Sequence, residues 1–168
     1  MTNELLTQRR KLLKKRFTSS MIQLYVVLAA TVYNCIAELI IPGFVLPVSF
    51  YLPQFFAYYS SFLSTSGEKN GALVYFLTVM SFVLIVLIAA ALIFSRKNYR
   101  LMNLVTVTAS IDMILLIYVG ISGTLISGFQ AFFIINLFAH VWILFLSATA
   151  RRASEGLEVL PESAEDTH

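Results

Sequence analysis

Residues 44–64 read FVLPVSFYLPQFFAYYSSFLS, and this stretch decides whether the chain crosses a membrane four or five times. It contains no charged side chain, and about 20 mostly apolar residues are enough to span a bilayer. It also holds Pro47 and Pro53, which interrupt a helix. The sequence of this segment is therefore compatible with either a membrane span or an element outside the membrane.

The charges outside this stretch favour four spans. Four other segments are long and apolar enough, at about 20–41, 72–94, 101–123 and 127–149. Most of the basic residues outside these segments form three clusters: Arg9, Arg10, Lys11, Lys14, Lys15 and Arg16; Arg96, Lys97 and Arg100; Arg151 and Arg152. With four spans all three clusters lie on one side, as the positive-inside rule requires, whereas a fifth span would place two of them outside. The sequence therefore predicts an all-α, four-helix transmembrane bundle in the plasma membrane, with both termini cytoplasmic.

On this topology, residues 44–64 form an external segment that is helical from about Pro53 to Ser64. Its rings suit the headgroup layer, where amphipathic aromatic side chains settle. The predicted interfacial aromatics are Phe50, Tyr51, Phe55, Phe56, Tyr58 and Tyr59. The segment serves either as a membrane anchor or as a lid or docking surface.

The composition excludes several classes of protein. The chain is 58% hydrophobic and 12% charged, about half the charged share of a soluble domain. Cys35 is the only cysteine, which rules out an intrachain disulfide. Basic and aromatic residues do not alternate as they do on nucleic-acid-binding surfaces. We predict no nucleic-acid partner, no cofactor and no metal site.

The two ends of the chain differ in charge. Residues 1–19 combine leucines with the first basic cluster, which is typical of an amphipathic segment on anionic inner-leaflet lipid. The same charges also determine the topology, and this second role alone is enough to account for them. Residues 150–168 form an acidic cytoplasmic tail.

Small residues recur every four positions around the end of the third span. Gly120, Thr124 and Gly128 form one such series, and Gly123 is followed by Ser127. Small residues at this spacing let helix backbones approach closely in lipid. We expect this contact inside the hairpin of the third and fourth spans, and a homodimer is the alternative.

Three spans carry two polar residues one helical turn apart, on one helix face. The pairs are Asn34 and Glu38, Thr108 and Asp112, and Asn136 and His140. At 1.5 Å per residue, Asp112 lies about 16 Å from the inner surface, level with His140 and Asn136, whereas Glu38 lies higher. We expect Asp112 to pair with His140, with Asn136 as a second hydrogen-bond partner. Such a cluster either locks the hairpin or forms a proton, cation or headgroup site.

Four short motifs place this chain beside a known group of proteins. They read Ser95-Arg96-Lys97, Ile111-Asp112, Asn136-x-x-x-His140 with Trp142-Ile143-Leu144, and Leu160-Pro161-Glu162. In these motifs and in its aromatic outer segment, the chain resembles a group of small four-span membrane proteins of Gram-positive Firmicutes, of unknown function. The resemblance implies the topology and the choice of polar residues. Asn136 departs from it, since the group has aspartate there, which removes one acid from a two-carboxylate cation site.

Two functions follow from these patterns. The first is a non-enzymatic structural, accessory or partner-binding subunit, with a membrane-protein partner or a second copy of the chain. The alternative is an ion-, proton- or small-molecule-binding or transport protein that uses the polar cluster in a midplane cavity. A membrane enzyme is less well supported, because the sequence contains no catalytic motif.

Overall fold

The computed structural model describes residues 3–41, 46–66, 70–95, 98, 100–121 and 130–160. Its elements are α1 (Asn3–Ile40), α2 (Tyr51–Thr65), α3 (Gly71–Phe94), α4 (Leu101–Ile121) and α5 (Gln130–Val159). Four of them, α1, α3, α4 and α5, are long and apolar enough to cross a membrane, whereas α2 has 15 residues. The all-α class and the four candidate spans are thus confirmed. The predicted packing residues Gly123, Thr124 and Gly128 lie outside the described residues.

The long helices bury one stripe and expose apolar side chains on the rest of their surface. Their main core includes Leu24 of α1, Leu92 of α3, Val105 of α4 and Ile143 of α5. Large apolar side chains such as Phe138, which is 72% exposed, point away from this core. A helix that is apolar on all faces belongs in lipid, so this surface matches a bilayer.

Both ends of the described chain lie at the same end of the bundle, which we call the terminal end. There α1 and α5 pack together, with a Leu13 methyl 3.1 Å from where a Cβ of Gly156 would lie. The opposite end is the loop end. The 38 residues of α1 form one continuous helix about 57 Å long, nearly twice the roughly 30 Å hydrocarbon layer. The basic segment is therefore continuous with the first long apolar helix.

The position of α2 differs most from the sequence-based prediction. This helix packs against α1, α3 and α4, and its C-terminal half meets the start of α3, where Ser60 Oγ donates to the Val74 carbonyl. Its N-terminus lies deep in the bundle, since Phe50 is 0% exposed within the main core. The helix thus enters from the loop end and reaches the middle. Phe50 is buried in the protein core, so the prediction that its ring lies at the interface is wrong.

Candidate functional site

Asp112 of α4 holds the N-terminus of α2. The Tyr51 N–H donates to Asp112 Oδ2 over 3.0 Å, and the Leu52 N–H donates to Oδ1 over 2.8 Å. The first N–H groups of any helix have no partner within the helix, and Phe50, the N-cap residue, supplies no side-chain cap. Asp112 supplies that cap from another helix. The carboxylate is 0% exposed and about 16 Å along α4, near the middle of the bundle.

Two further residues complete the start of α2. The Phe50 N–H donates to Thr31 Oγ1 of α1 over 2.8 Å. The next position after Leu52 is Pro53, which has no N–H to satisfy. The N–H groups of Phe50, Tyr51 and Leu52 therefore all have acceptors, and Pro53 has no N–H that needs one. This matters because an unpaired N–H in hydrocarbon costs several kcal/mol.

Asn34 of α1 holds the extended chain that leads into α2. Its side chain accepts the Leu46 N–H and donates to the Leu46 carbonyl, both over 2.9 Å. Its Nδ2 also lies 2.9 Å from Ser49 Oγ and 3.2 Å from Gln54 Oε1. Irregular backbone at membrane depth is tolerated only where protein satisfies it. Asn34 does so here, and with Thr31 and Asp112 it forms what we call the α2 clamp.

His140 does not make the predicted pair with Asp112. Its Nδ1 lies 2.8 Å from the Asn136 carbonyl oxygen on the same helix, which can only accept, so Nδ1 carries the hydrogen. Nε2 has no hydrogen-bond partner among the described residues, although His140 is 1% exposed. Tyr51 lies between the two groups: its N–H binds Asp112, and its ring meets the imidazole edge-on at 6.1 Å. The α2 N-terminus therefore takes the place of the expected ion pair.

The other three predicted polar residues are Thr108, Asn136 and Glu38. Thr108 donates to the Leu104 carbonyl on its own helix over 2.9 Å. Asn136 and Glu38 are buried, at 7% and 1% exposure. Among the described residues, no three acidic, histidine or cysteine side chains are grouped as metal ligands. The contacts of Asp112, Thr31 and Asn34 are with backbone and side-chain groups of residues 46–54.

Sequence reasoning missed Thr31, Ser49 and Gln54. Thr31 lies three residues before Asn34, on the same face of α1, so helical spacing was the signal that could have revealed it. Ser49 and Gln54 belong to the aromatic segment, and there no periodicity separates clamp residues from surface ones. Their partners are the Asn34 side chain and each other, at sequence separations that no helical or strand period predicts.

Opposite its buried side, α2 carries a continuous aromatic face. The ring centroids of Tyr51 and Phe55 are 6.1 Å apart, those of Phe55 and Tyr59 are 4.6 Å apart, and Tyr58 stacks on Phe62. Tyr58, Tyr59 and Phe62 are about half exposed, at 49%, 43% and 52%. Phe55 and the predicted interfacial Phe56 are half-buried. The buried side of the same helix carries Pro53, Gln54, Ala57, Ser60 and Ser61.

No family model, curated protein or solved structure matches this chain. The functional argument therefore rests on the geometry described above.

Proposed function

We propose that the protein is a non-enzymatic accessory subunit of a bacterial plasma membrane that docks a membrane-protein partner on the aromatic face of α2. One observation carries the proposal: both oxygens of Asp112 are occupied by backbone N–H groups of α2. The costly polar residues of the membrane domain thus support the placement of a helix. They do not line an open site.

The surface of α2 that remains available to a partner is aromatic. Tyr58, Tyr59 and Phe62 combine large apolar area with few rotatable bonds, and aromatic residues are enriched where proteins meet. The α2 clamp fixes the start of the helix that presents them. A rigidly held face loses less entropy on binding than a mobile one.

The topology and the lipid contacts belong to the same proposal. We place both termini in the cytoplasm, because the described basic residues lie at the terminal end. Lys14, Lys15 and Arg16 are exposed and lie closest to the predicted first span, where anionic inner-leaflet lipid attracts them. Arg9, Arg10 and Lys11 lie farther along the projecting helix and contribute less.

Photo-crosslinking in native membranes tests the partner surface. A photoreactive phenylalanine analogue replaces Tyr58 or Tyr59, and the matched control replaces Phe82, an exposed aromatic of α3 that is 38% exposed. We expect adducts of one defined mass from α2 and none of that mass from Phe82. Lipid adducts alone, equally frequent at all three positions, would show that the aromatic face contacts only the bilayer.

Cys35 supplies a reporter for the position of α2. This sole cysteine is 0% exposed and packs with Ala57 of α2 and Ile85 of α3. In Asp112→Ala, we expect faster alkylation of Cys35 by a charged maleimide, together with loss of the α2 adduct. Thr108→Ala is the control, because the Thr108 hydroxyl bonds within its own helix. Fast alkylation combined with an unchanged adduct would contradict the proposed role of the clamp.

A second candidate function rests on the unpaired Nε2 of His140, a buried acceptor next to Tyr51. In this alternative the protein binds a proton, an ion or a small molecule near the midplane. Thermal unfolding with a panel of ions and small molecules tests it, since a ligand at 100 times its Kd stabilises by about 2.7 kcal/mol. Stabilisation of the wild type that is absent in His140→Leu supports this alternative over the accessory role.

A further inference from the structure

A groove separate from the α2 clamp opens at the loop end of the bundle. It has a volume of about 340 Å³ and lies between the end of α1, the second half of α2 and the start of α3. Leu39 and Ile40 of α1 and Val74 of α3 supply its apolar lining. The remaining lining residues all carry hydroxyl groups: Ser60, Ser61, Ser64, Thr65 and Thr78. We call it the hydroxyl groove.

Some of these hydroxyls have protein partners and some do not. The hydroxyls of Ser60 and Thr78 lie 2.6 Å apart, and each lies 3.0 Å from the Val74 carbonyl oxygen. Thr65 donates to backbone carbonyls of its own helix. The Ser61 and Ser64 hydroxyls make no hydrogen bond with any residue that the structure describes. Two hydroxyls are therefore free to bind a ligand.

A further hydroxyl lies just below the groove. Ser81 is three residues deeper than Thr78 on α3 and is 1% exposed, beside the Cys35 thiol. Polar side chains on α3 therefore extend deeper into the bundle than Thr78.

The depth and charge of the groove restrict its occupant. Thr78 lies seven residues from the start of α3, about 10 Å along the helix, so the groove spans the boundary between headgroups and hydrocarbon. Among the residues that the structure describes, no lysine or arginine lines it, whereas phosphate recognition ordinarily uses such residues. A bare acyl chain would leave the Ser61 and Ser64 hydroxyls unpaired, which is unfavourable.

We propose that the hydroxyl groove binds the uncharged headgroup and glycerol of a neutral glycolipid from the surrounding leaflet. The sugar hydroxyls reach Ser61 and Ser64, and the acyl chains of the lipid leave along Leu39, Ile40 and Val74. A hydroxyl both donates and accepts, so serines pair with it in either direction. The apolar lining favours a lipid over a free sugar.

Photolabelling in nanodiscs tests this site. The full chain is reconstituted in phosphatidylcholine with a diazirine-bearing monohexosyl diacylglycerol, or with the matching phosphatidylglycerol probe. We expect the glycolipid to label peptides of α2 and α3 that line the groove. The Ser61→Ala/Ser64→Ala variant should lower that labelling about tenfold, the equivalent of two hydrogen bonds of ordinary net strength. Ser66→Ala is the control, since Ser66 lies just past α2 and its hydroxyl donates to the Leu63 carbonyl.

Three results would overturn the proposal. The first is equal labelling by the phosphatidylglycerol probe, which would indicate a general lipid contact. The second is unchanged labelling in Ser61→Ala/Ser64→Ala while Cys35 stays protected from alkylation, which shows that α2 is still seated. The third is full competition by a soluble methyl hexoside at millimolar concentration, which would assign the groove to free sugar.

Discussion

At the residue scale, Asp112 shows how a buried acid is tolerated in a membrane protein without a cation. Its two oxygens accept the N–H groups of Tyr51 and Leu52, where the partial positive charge of a helix N-terminus is concentrated. Hydrogen bonds to a charged group are stronger than neutral ones, which offsets the loss of water. The α2 N-terminus thus supplies hydrogen-bond donors to the carboxylate, and the carboxylate supplies acceptors to the N–H groups of α2.

The clamp predicts a large effect of removing Asp112. Asp112→Ala leaves two buried N–H groups without acceptors, and we expect the free energy of unfolding to fall by about 2–4 kcal/mol. Asp112→Asn keeps one acceptor and should lose less. Unfolding in mixed micelles measures both, with Thr108→Ala as a control expected near wild type. Equal stability of Asp112→Ala and wild type would show that the clamp contributes nothing.

His140 should respond differently from Asp112. If the two formed an ion pair, removing either partner would cost about the same. Here the Nε2 of His140 has no described partner and Nδ1 bonds a carbonyl of its own helix. We therefore expect His140→Leu to be at least as stable as wild type, because an apolar side chain of similar size removes an unpaired buried nitrogen. Asp112→Leu, measured alongside, should be clearly less stable, whereas matching losses would restore the ion-pair model.

At the element scale, the close contact of α4 with α5 depends on a glycine. A Cβ at Gly120 would overlap the ring of Phe133 on α5. Small residues at such positions let helices approach in lipid, where no hydrophobic effect drives them together. Of the small-residue series predicted from the sequence, Gly120 is the described member, and it does pack inside the hairpin.

Substitution at Gly120 tests this contact. Gly120→Ala forces the Phe133 ring to move, and we expect it to lower the free energy of unfolding by about 1 kcal/mol. Gly120→Ala combined with Phe133→Ala should cost less than the sum of the two single changes, since the overlap is then gone. Gly71→Ala is the matched control, because nothing lies within 4 Å of a Cβ at that position. Strict additivity in the double variant would rule out the contact.

The sequence predicted elements better than it predicted contacts. Apolar runs alone located the four long helices, and Pro53 to Ser64 was close to the observed α2, Tyr51–Thr65. The depth of α2 was missed because Phe50 and Tyr51 suit a headgroup layer and a protein core equally well. The i, i+4 pairs singled out Asn34 and Asp112, but their partners are backbone groups of residues 46–52, which no side-chain pattern reveals.

At the scale of the whole molecule, the described arginines and lysines lie at one end and the hydroxyl groove lies at the other. Arginines and lysines of the described chain lie at the terminal end, on the projecting parts of α1 and α5 and before α4. The loop end carries the hydroxyl groove and the exposed rings of Tyr58 and Phe62. A bilayer with anionic lipid on its inner face orients such a molecule with the cationic end inside.

Cysteine labelling in intact cells tests this orientation. In a Cys35→Ala background, single cysteines replace Lys11 at the terminal end, Arg100 before α4, or Ser66 after α2; all three native residues are exposed. We expect an impermeant maleimide to label only the Ser66 position in intact cells and all three after permeabilisation, because cationic segments stay on the cytoplasmic side. Labelling of the Lys11 and Arg100 positions alone would invert the topology, and the hydroxyl groove would then face the inner leaflet. Labelling of Lys11 and Ser66 together would be incompatible with α1 crossing the membrane.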